Sequence, residues 1–340
     1  MNNQCSRQNW ADYTKAFAIW LMVLCHFGLR PASLVKFIFV FHMPVFFVIS
    51  GYFDKGDSFS WALLKKSFKK VMIPYFFFSL CSFSICWISP YLHPEIYHNG
   101  TIPQTFVKAF IGMFLMEDLV RPYAFMPTGA LWFLVALFNI KILFSLLILC
   151  WAKCRILIIG LVSLIVLIVL IKFPFFSIDS ACLSLPFYII GYFFKRYKFL
   201  DRVTSRMGML SLSAVCFAYV AIIGVRNGYI SIDGCTVGNN IILFYINGTI
   251  GSLACIYFFR FADFENKYLQ KIGSSTLTIL GSHGYVNKAA TIVGVLLLGV
   301  SPSEIPLWYI IGASFIALFF GVWVEKLLSR YCPKMIGKTK

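Results

Sequence analysis

Two histidines and a lysine stand inside the first two apolar runs of this chain, at Lys15, His26 and His42. Ionisable groups at membrane depth are costly, so by default they point to function. Lys15 and His26 are eleven residues apart, which on a helix is about three turns plus 20°, with a rise of roughly 16 Å. They therefore share one helix face, the lysine toward a membrane surface and the imidazole toward mid-depth. A positioned imidazole can take the proton from a hydroxyl as it attacks an acyl carbon, a contribution of typically about 10² to 10⁴-fold. His26 is the candidate base, acting directly or through an acyl-histidine intermediate. Lys15 meets an anionic phosphate or leads a polar channel toward His26, or it simply snorkels to the interface. Asp12, three residues earlier, is spaced to pair with it.

Further groups of the same kind lie along the chain. His42 is nearer the outer surface and either orients an acceptor or His26, or packs beside the kink at Pro44. His283 stands eleven residues in from Ile272, at a depth like that of His26, so one cavity can hold both. Asn287 and Lys288 follow about one turn later. For His283 and Asn287 the other reading is a hydrogen bond between helices. Lys288 must face protein or water, where it can serve an oxyanion or an anionic acceptor. Trp132 and Phe133 belong to an interfacial aromatic belt or stack against a sugar. Lys65, Lys66, Lys69 and Lys70 recur at i, i+1, i+4 and i+5 and crowd one helix face. They offer either a patch for the phosphates of a ligand or the positive anchor of a cytoplasmic loop.

The elements that must hold these groups follow from composition. Hydrophobic residues make up 60% of the chain and charged residues 13%, against about half and a quarter in a soluble domain. Apolar runs near the length needed to cross about 30 Å of hydrocarbon fall at 14–30, 34–53, 71–89, 129–150, 156–172, 182–194, 207–224, 238–259, 273–299 and 307–328. The expected fold is an all-α, polytopic membrane helix bundle of about ten spans, one domain over 1–340. The first run is retained rather than cleaved, since Lys15 and His26 interrupt it and no small-x-small site follows before Arg30.

The net charge of +17 does not indicate nucleic acid, because the basic residues fall in alternate segments. Lys55 to Lys70, Lys153 and Arg155, Lys195 to Arg206, Arg260 to Lys271, and the basic tail 329–340 mark one side, which puts both termini in the cytoplasm. Of eleven cysteines, Cys25, Cys81, Cys86, Cys150, Cys182, Cys216 and Cys255 lie in or beside spans as small hydrophobes. No CxxC or Cys/His metal spacing occurs, so neither disulfide nor metal is expected. The longest outer segment, 89–128, contains the apolar patch Phe106 to Met116, too short to span and suited to a re-entrant or interfacial helix over an outward site. Glu117 and Asp118 beside it are solvated or touch the acceptor.

Lys15-x10-His26, the run Phe41-His42-Met43-Pro44-Val45-Phe46-Phe47-Val48-Ile49-Ser50-Gly51-Tyr52, the basic helix before Ile73-Pro74-Tyr75, Leu131-Trp132-Phe133-Leu134, and Ile272-Gly273-Ser274-Ser275 through Gly281-Ser282-His283 occur in order. In this combination the chain resembles the acyltransferase-3 family of integral membrane acyltransferases nearly end to end, nearest to its fucose 4-O-acetylase-like branch. The resemblance implies transfer of an acyl group, usually acetyl from acetyl-CoA, to a sugar hydroxyl of a surface polysaccharide or lipid-linked glycan in a bacterial inner membrane. The donor is a substrate, and no bound cofactor is implied. Where the family often carries Arg-x-x-Arg after the second span, this chain reads Lys66-x-x-Lys69, and lysine holds a phosphate as a point charge without the bidentate fork. The competing reading is a transporter or flippase for lipid-linked saccharide, with the same polar residues lining its path. No inverted repeat or pair of broken helices is evident in its favour.

Overall fold

A computed structural model describes residues 8–92, 112–113, 130–153, 155–171, 173, 175–262 and 265–338. Each of the ten apolar runs falls on one long helix: α1 Asn9–His26, α2 Ala32–Tyr52, α4 Ile73–Leu92, α5 Trp132–Lys153, α6 Arg155–Ile171, α7 Ile178–Arg196, α8 Arg206–Ile222, α9 Ile241–Ala262, α11 Thr276–Leu298 and α12 Leu307–Tyr331. Two short helices join them, α3 Trp61–Ser67 and α10 Lys267–Ser274. Among the described residues six helices are long and apolar enough to cross a membrane: α2, α5, α7, α8, α9 and α12. The chain is an all-α, multi-pass membrane bundle. Its described strands are the two-residue pair β1 Ile230–Ser231 and β2 Thr236–Val237.

α1 starts five residues before its apolar run and stops four before the run's end, which makes His26 its last residue rather than an interior one. The stop has a local cause: Gly28 takes a left-handed φ of 87°, and Pro31, two residues after Leu29, precedes α2 with no N–H to give.

Small residues set how closely the helices approach. A Cβ on Gly191 of α7 would lie 2.0 Å from the carbonyl oxygen of Val48 in α2, and one on Gly51 would lie 1.9 Å from that of Tyr188. Backbone meets backbone there, as it does wherever small residues let membrane helices pack by van der Waals contact. Gly273 of α10 plays the same part against α1, since its Cβ would lie 2.0 Å from the Asp12 carbonyl oxygen. Phe41, Phe47, Phe187 and Phe244 are wholly buried around the α2–α7–α9 seam.

The segments rich in lysine and arginine converge at one end of the bundle. Arg260 pairs with Asp201 at 2.9 Å and its guanidinium stands 6.0 Å from the Trp10 ring. The Lys195 ammonium lies 5.1 Å from the Tyr52 ring. The backbone N–H of Asn266 donates to the Tyr13 hydroxyl at 2.8 Å, and Lys338 pairs with the buried Glu325. Asp54, just after α2, takes hydrogen bonds from Lys141 and from the Tyr188 hydroxyl.

The connection between α11 and α12 is capped locally. There the exposed Glu304 accepts from the Ser301 hydroxyl and N–H, which lowers its pKa from the ordinary value.

The outer segment 89–128, with its patch at Phe106 to Met116 and with Glu117 and Asp118, lies outside the described residues apart from α4 to Leu92, Gly112 and Met113. The Met113 carbonyl accepts from the Tyr75 hydroxyl at 3.0 Å.

Candidate active site

His26, placed at the end of α1, meets His283 of α11. The Nε2 of His283 lies 3.2 Å from the Nδ1 of His26, with the rings 5.0 Å apart and edge to face. The backbone fixes the protons. His283 Nδ1 is 2.9 Å from the Leu280 carbonyl and 3.2 Å from that of Ile279. Carbonyls only accept, so Nδ1 carries the hydrogen, and the neutral ring keeps a lone pair at Nε2. His26 must then donate from its Nδ1, which leaves its own Nε2 with a bare lone pair. A neighbour that sets which imidazole nitrogen is protonated fixes the ring's tautomer and orientation.

Asn287, one turn beyond His283, donates from its amide to the His26 carbonyl at 2.8 Å. The end of α1 would otherwise hold an orphan carbonyl there. The bond pins the residue that carries the imidazole.

A cavity of about 160 Å³ opens beside His26. Met22, Met43 and Leu280 form its apolar wall, and Phe39, His42 and Trp132 line it further. His42 is buried, with its Nδ1 2.9 Å from the Ile38 carbonyl. By the same argument that nitrogen carries the hydrogen and Nε2 is bare. Phe133, next to Trp132, turns instead into an aromatic cluster with Phe46 and Phe47 at 5.6 and 5.1 Å.

The remaining wall comes from the β1–β2 hairpin: Tyr229, Ile230, Ser231, Ile232 and Asp233. None of these entered the sequence analysis as a site residue. Their signal was present, because Ile230-Ser231-Ile232 alternates and is followed by Asp233-Gly234, a strong short-range hairpin pattern.

The other sequence-derived residues stand apart from this cavity. Lys15 pairs with Asp12 at 2.9 Å and is not among its lining residues; neither is Lys288, which is half-buried on α11. The lysine cluster is broken by a π-helical turn, Phe68–Met72, between α3 and α4. Such a turn holds one more residue than an α-helical one, and it commonly marks a functional segment. Lys65 and Lys69 line a second cavity of about 870 Å³ with Trp61, Phe68, Val135 and Asn139. Lys66 and Lys70 are exposed beside it. Among the described residues no group of His, Cys, Asp and Glu is arranged to hold a metal ion.

A histidine pair with a fixed bare nitrogen, at a cavity inside a membrane bundle, suits proton transfer during acyl transfer. A family model described as an acyltransferase domain matches residues 8–326. The chain belongs to the acyltransferase-3 family. The match runs from α1 into α12 and makes the protein a membrane acyltransferase. No curated protein and no solved structure matches the chain.

Proposed function

We propose that this acyltransferase moves an acyl group, acetyl in the simplest case, from cytoplasmic acyl-CoA to a sugar hydroxyl of a surface polysaccharide or lipid-linked glycan in a bacterial inner membrane. The observation that carries the reading is the His26–His283 contact with its forced tautomers. His26 Nε2 takes the acceptor's hydroxyl proton as the oxygen attacks the thioester carbon. The C–S bond then breaks, and His26 returns the proton to the departing CoA thiolate. While charged, His26 still donates from Nδ1 to His283, and a hydrogen bond to a charged group is worth about 1.5–3 kcal/mol.

The donor's path is supported by one face of α5. Trp132 lines the histidine cavity, while Val135 and Asn139 line the lysine cavity. At about 100° per residue, positions three and seven along a helix fall within roughly 60° of the first. One stripe of α5 thus borders both cavities. Phosphates of CoA at Lys65, Lys66, Lys69 and Lys70 would leave the thioester arm to run along it toward His26. In this scheme Lys15 pairs with Asp12 within α1 and takes no part in the proton transfer, and Lys288, half-buried on α11 outside the cavity lining, serves the acceptor side.

The test uses purified protein. It should bind CoA with an affinity that falls as salt rises, because exposed phosphate contacts are screened, and should release free thiol from acetyl-CoA when cell-surface glycan is added. Absence of CoA binding, with reconstituted protein moving lipid-linked saccharide between leaflets, would establish the flippase reading instead.

A further inference from the structure

Asp233 is the one acidic side chain lining the histidine cavity among the described residues. It stands out in a chain of net charge +17, whose excess of lysine and arginine would otherwise favour acidic ligands. Its position is built, not incidental. The Ser231 hydroxyl donates to Oδ1, and the Ser180 hydroxyl of α7 holds the Ile232 carbonyl at 3.1 Å. Ile230 and Ile232 are buried. The far side of the hairpin is tied by Asn227, whose amide donates to the carbonyls of Val237 and Asn240 at 2.9 and 3.1 Å. Oδ2 has no partner among the described residues, and a carboxylate offers about four acceptor sites. Facing aromatic surfaces come from Trp132, Tyr229 and Phe39, the last two with rings 5.8 Å apart.

We propose that the hairpin forms an acceptor subsite for an uncharged sugar ring, in which Asp233 accepts ring hydroxyls and excludes sugars that carry a carboxylate. A carboxylate paired with hydroxyl donors makes charge-assisted hydrogen bonds, shorter and about twice as strong as neutral ones. An apolar ring face against Trp132 supplies contact area at low entropic cost. A second carboxylate in the same small cavity meets like charge, which is how sites reject wrong ligands. The hairpin is held before ligand arrives, so little ordering is required on binding. The inference rests on the acyl-transfer reading only for what happens to the bound sugar, and binding is measured separately.

The experiment compares methyl glucoside with its uronate, methyl glucuronide, on detergent-solubilised protein. Binding is followed by the ligand-dependent shift in melting temperature, and acylation by mass spectrometry after addition of acetyl-CoA. Wild-type protein should bind and acylate the neutral glycoside at least tenfold better than the uronate. Asp233→Asn keeps the size and the Ser231 bond, and should reduce that discrimination to about threefold or less by weakening neutral binding and admitting the uronate. Equal binding of the two glycosides by wild-type protein overturns the proposal without any variant, as does discrimination unchanged in a folded Asp233→Asn protein. Selective binding of the neutral glycoside with no acyl transfer would uphold the subsite and refute transfer from acetyl-CoA to the bound sugar.

Discussion

His283→Phe removes the acceptor for the His26 Nδ1–H while filling the same buried space. In the resting enzyme the lost bond is an ordinary one between neutral rings, 3.2 Å long. In the transition state His26 is becoming charged, and the same bond is worth about 1.5–3 kcal/mol. Only the excess over the neutral bond's roughly 0.5–1.5 kcal/mol bears on kcat, about 1–1.5 kcal/mol, so at about 1.4 kcal/mol per tenfold the expected loss of kcat is on the order of 5 to 10-fold. Tautomer control adds to this, because without His283 nothing among the described residues keeps the proton on Nδ1. The CoA affinity should not change, since His283 is not among the residues that line the lysine cavity. The assay is thiol release from acetyl-CoA with glycan acceptor, alongside CoA binding at two salt concentrations. Activity within threefold of wild type would refute the relay. A loss as deep as that of His26→Ala would make His283 itself the proton acceptor.

Two further predictions concern the frame that holds the pair. Gly191→Ala puts a Cβ 2.0 Å from the Val48 carbonyl and should destabilise the α2–α7 seam by about 1–3 kcal/mol, the range for overpacking. A lower melting temperature in detergent would register it, and an unchanged one would contradict the close approach. In a cysteine-depleted protein, single cysteines at Ser58 and Thr204 should resist an impermeant thiol reagent in intact cells, while those at Asn239 and Ser303 should react. Labelling of Thr204→Cys from outside would invert the bundle and contradict the proposed approach of acyl-CoA to the lysine cavity from the cytoplasm.

What could be read from residues alone depended on the range of the interaction. Hydropathy is local and cumulative, so all ten apolar runs lie on helices, and the i, i+3 spacing of Asp12 and Lys15 corresponds to an ion pair at 2.9 Å. The depth argument set His26 and His283 at one level, and their nitrogens are 3.2 Å apart. Helix ends were less legible. Gly28 and Pro31 stop α1 at His26, and it is the carbonyl exposed by that stop which Asn287 binds; no side-chain pattern announces a main-chain partner. The π-helical turn at Phe68–Met72 re-phases Lys69 and Lys70 relative to Lys65, which an assumed 3.6-residue period cannot show. Asp233 escaped because a scan for spans treats 225–237 as connection, although the alternation of Ile230-Ser231-Ile232 before Asp233-Gly234 is a hairpin signal.

The central claim is that the bare Nε2 of His26 moves the proton in acyl transfer. Purified His26→Ala, checked for wild-type elution and CoA affinity, should transfer acetyl from acetyl-CoA to its glycan acceptor about 10² to 10⁴-fold more slowly than wild type. Transfer within tenfold of the wild-type rate by that folded, CoA-binding variant would contradict the account.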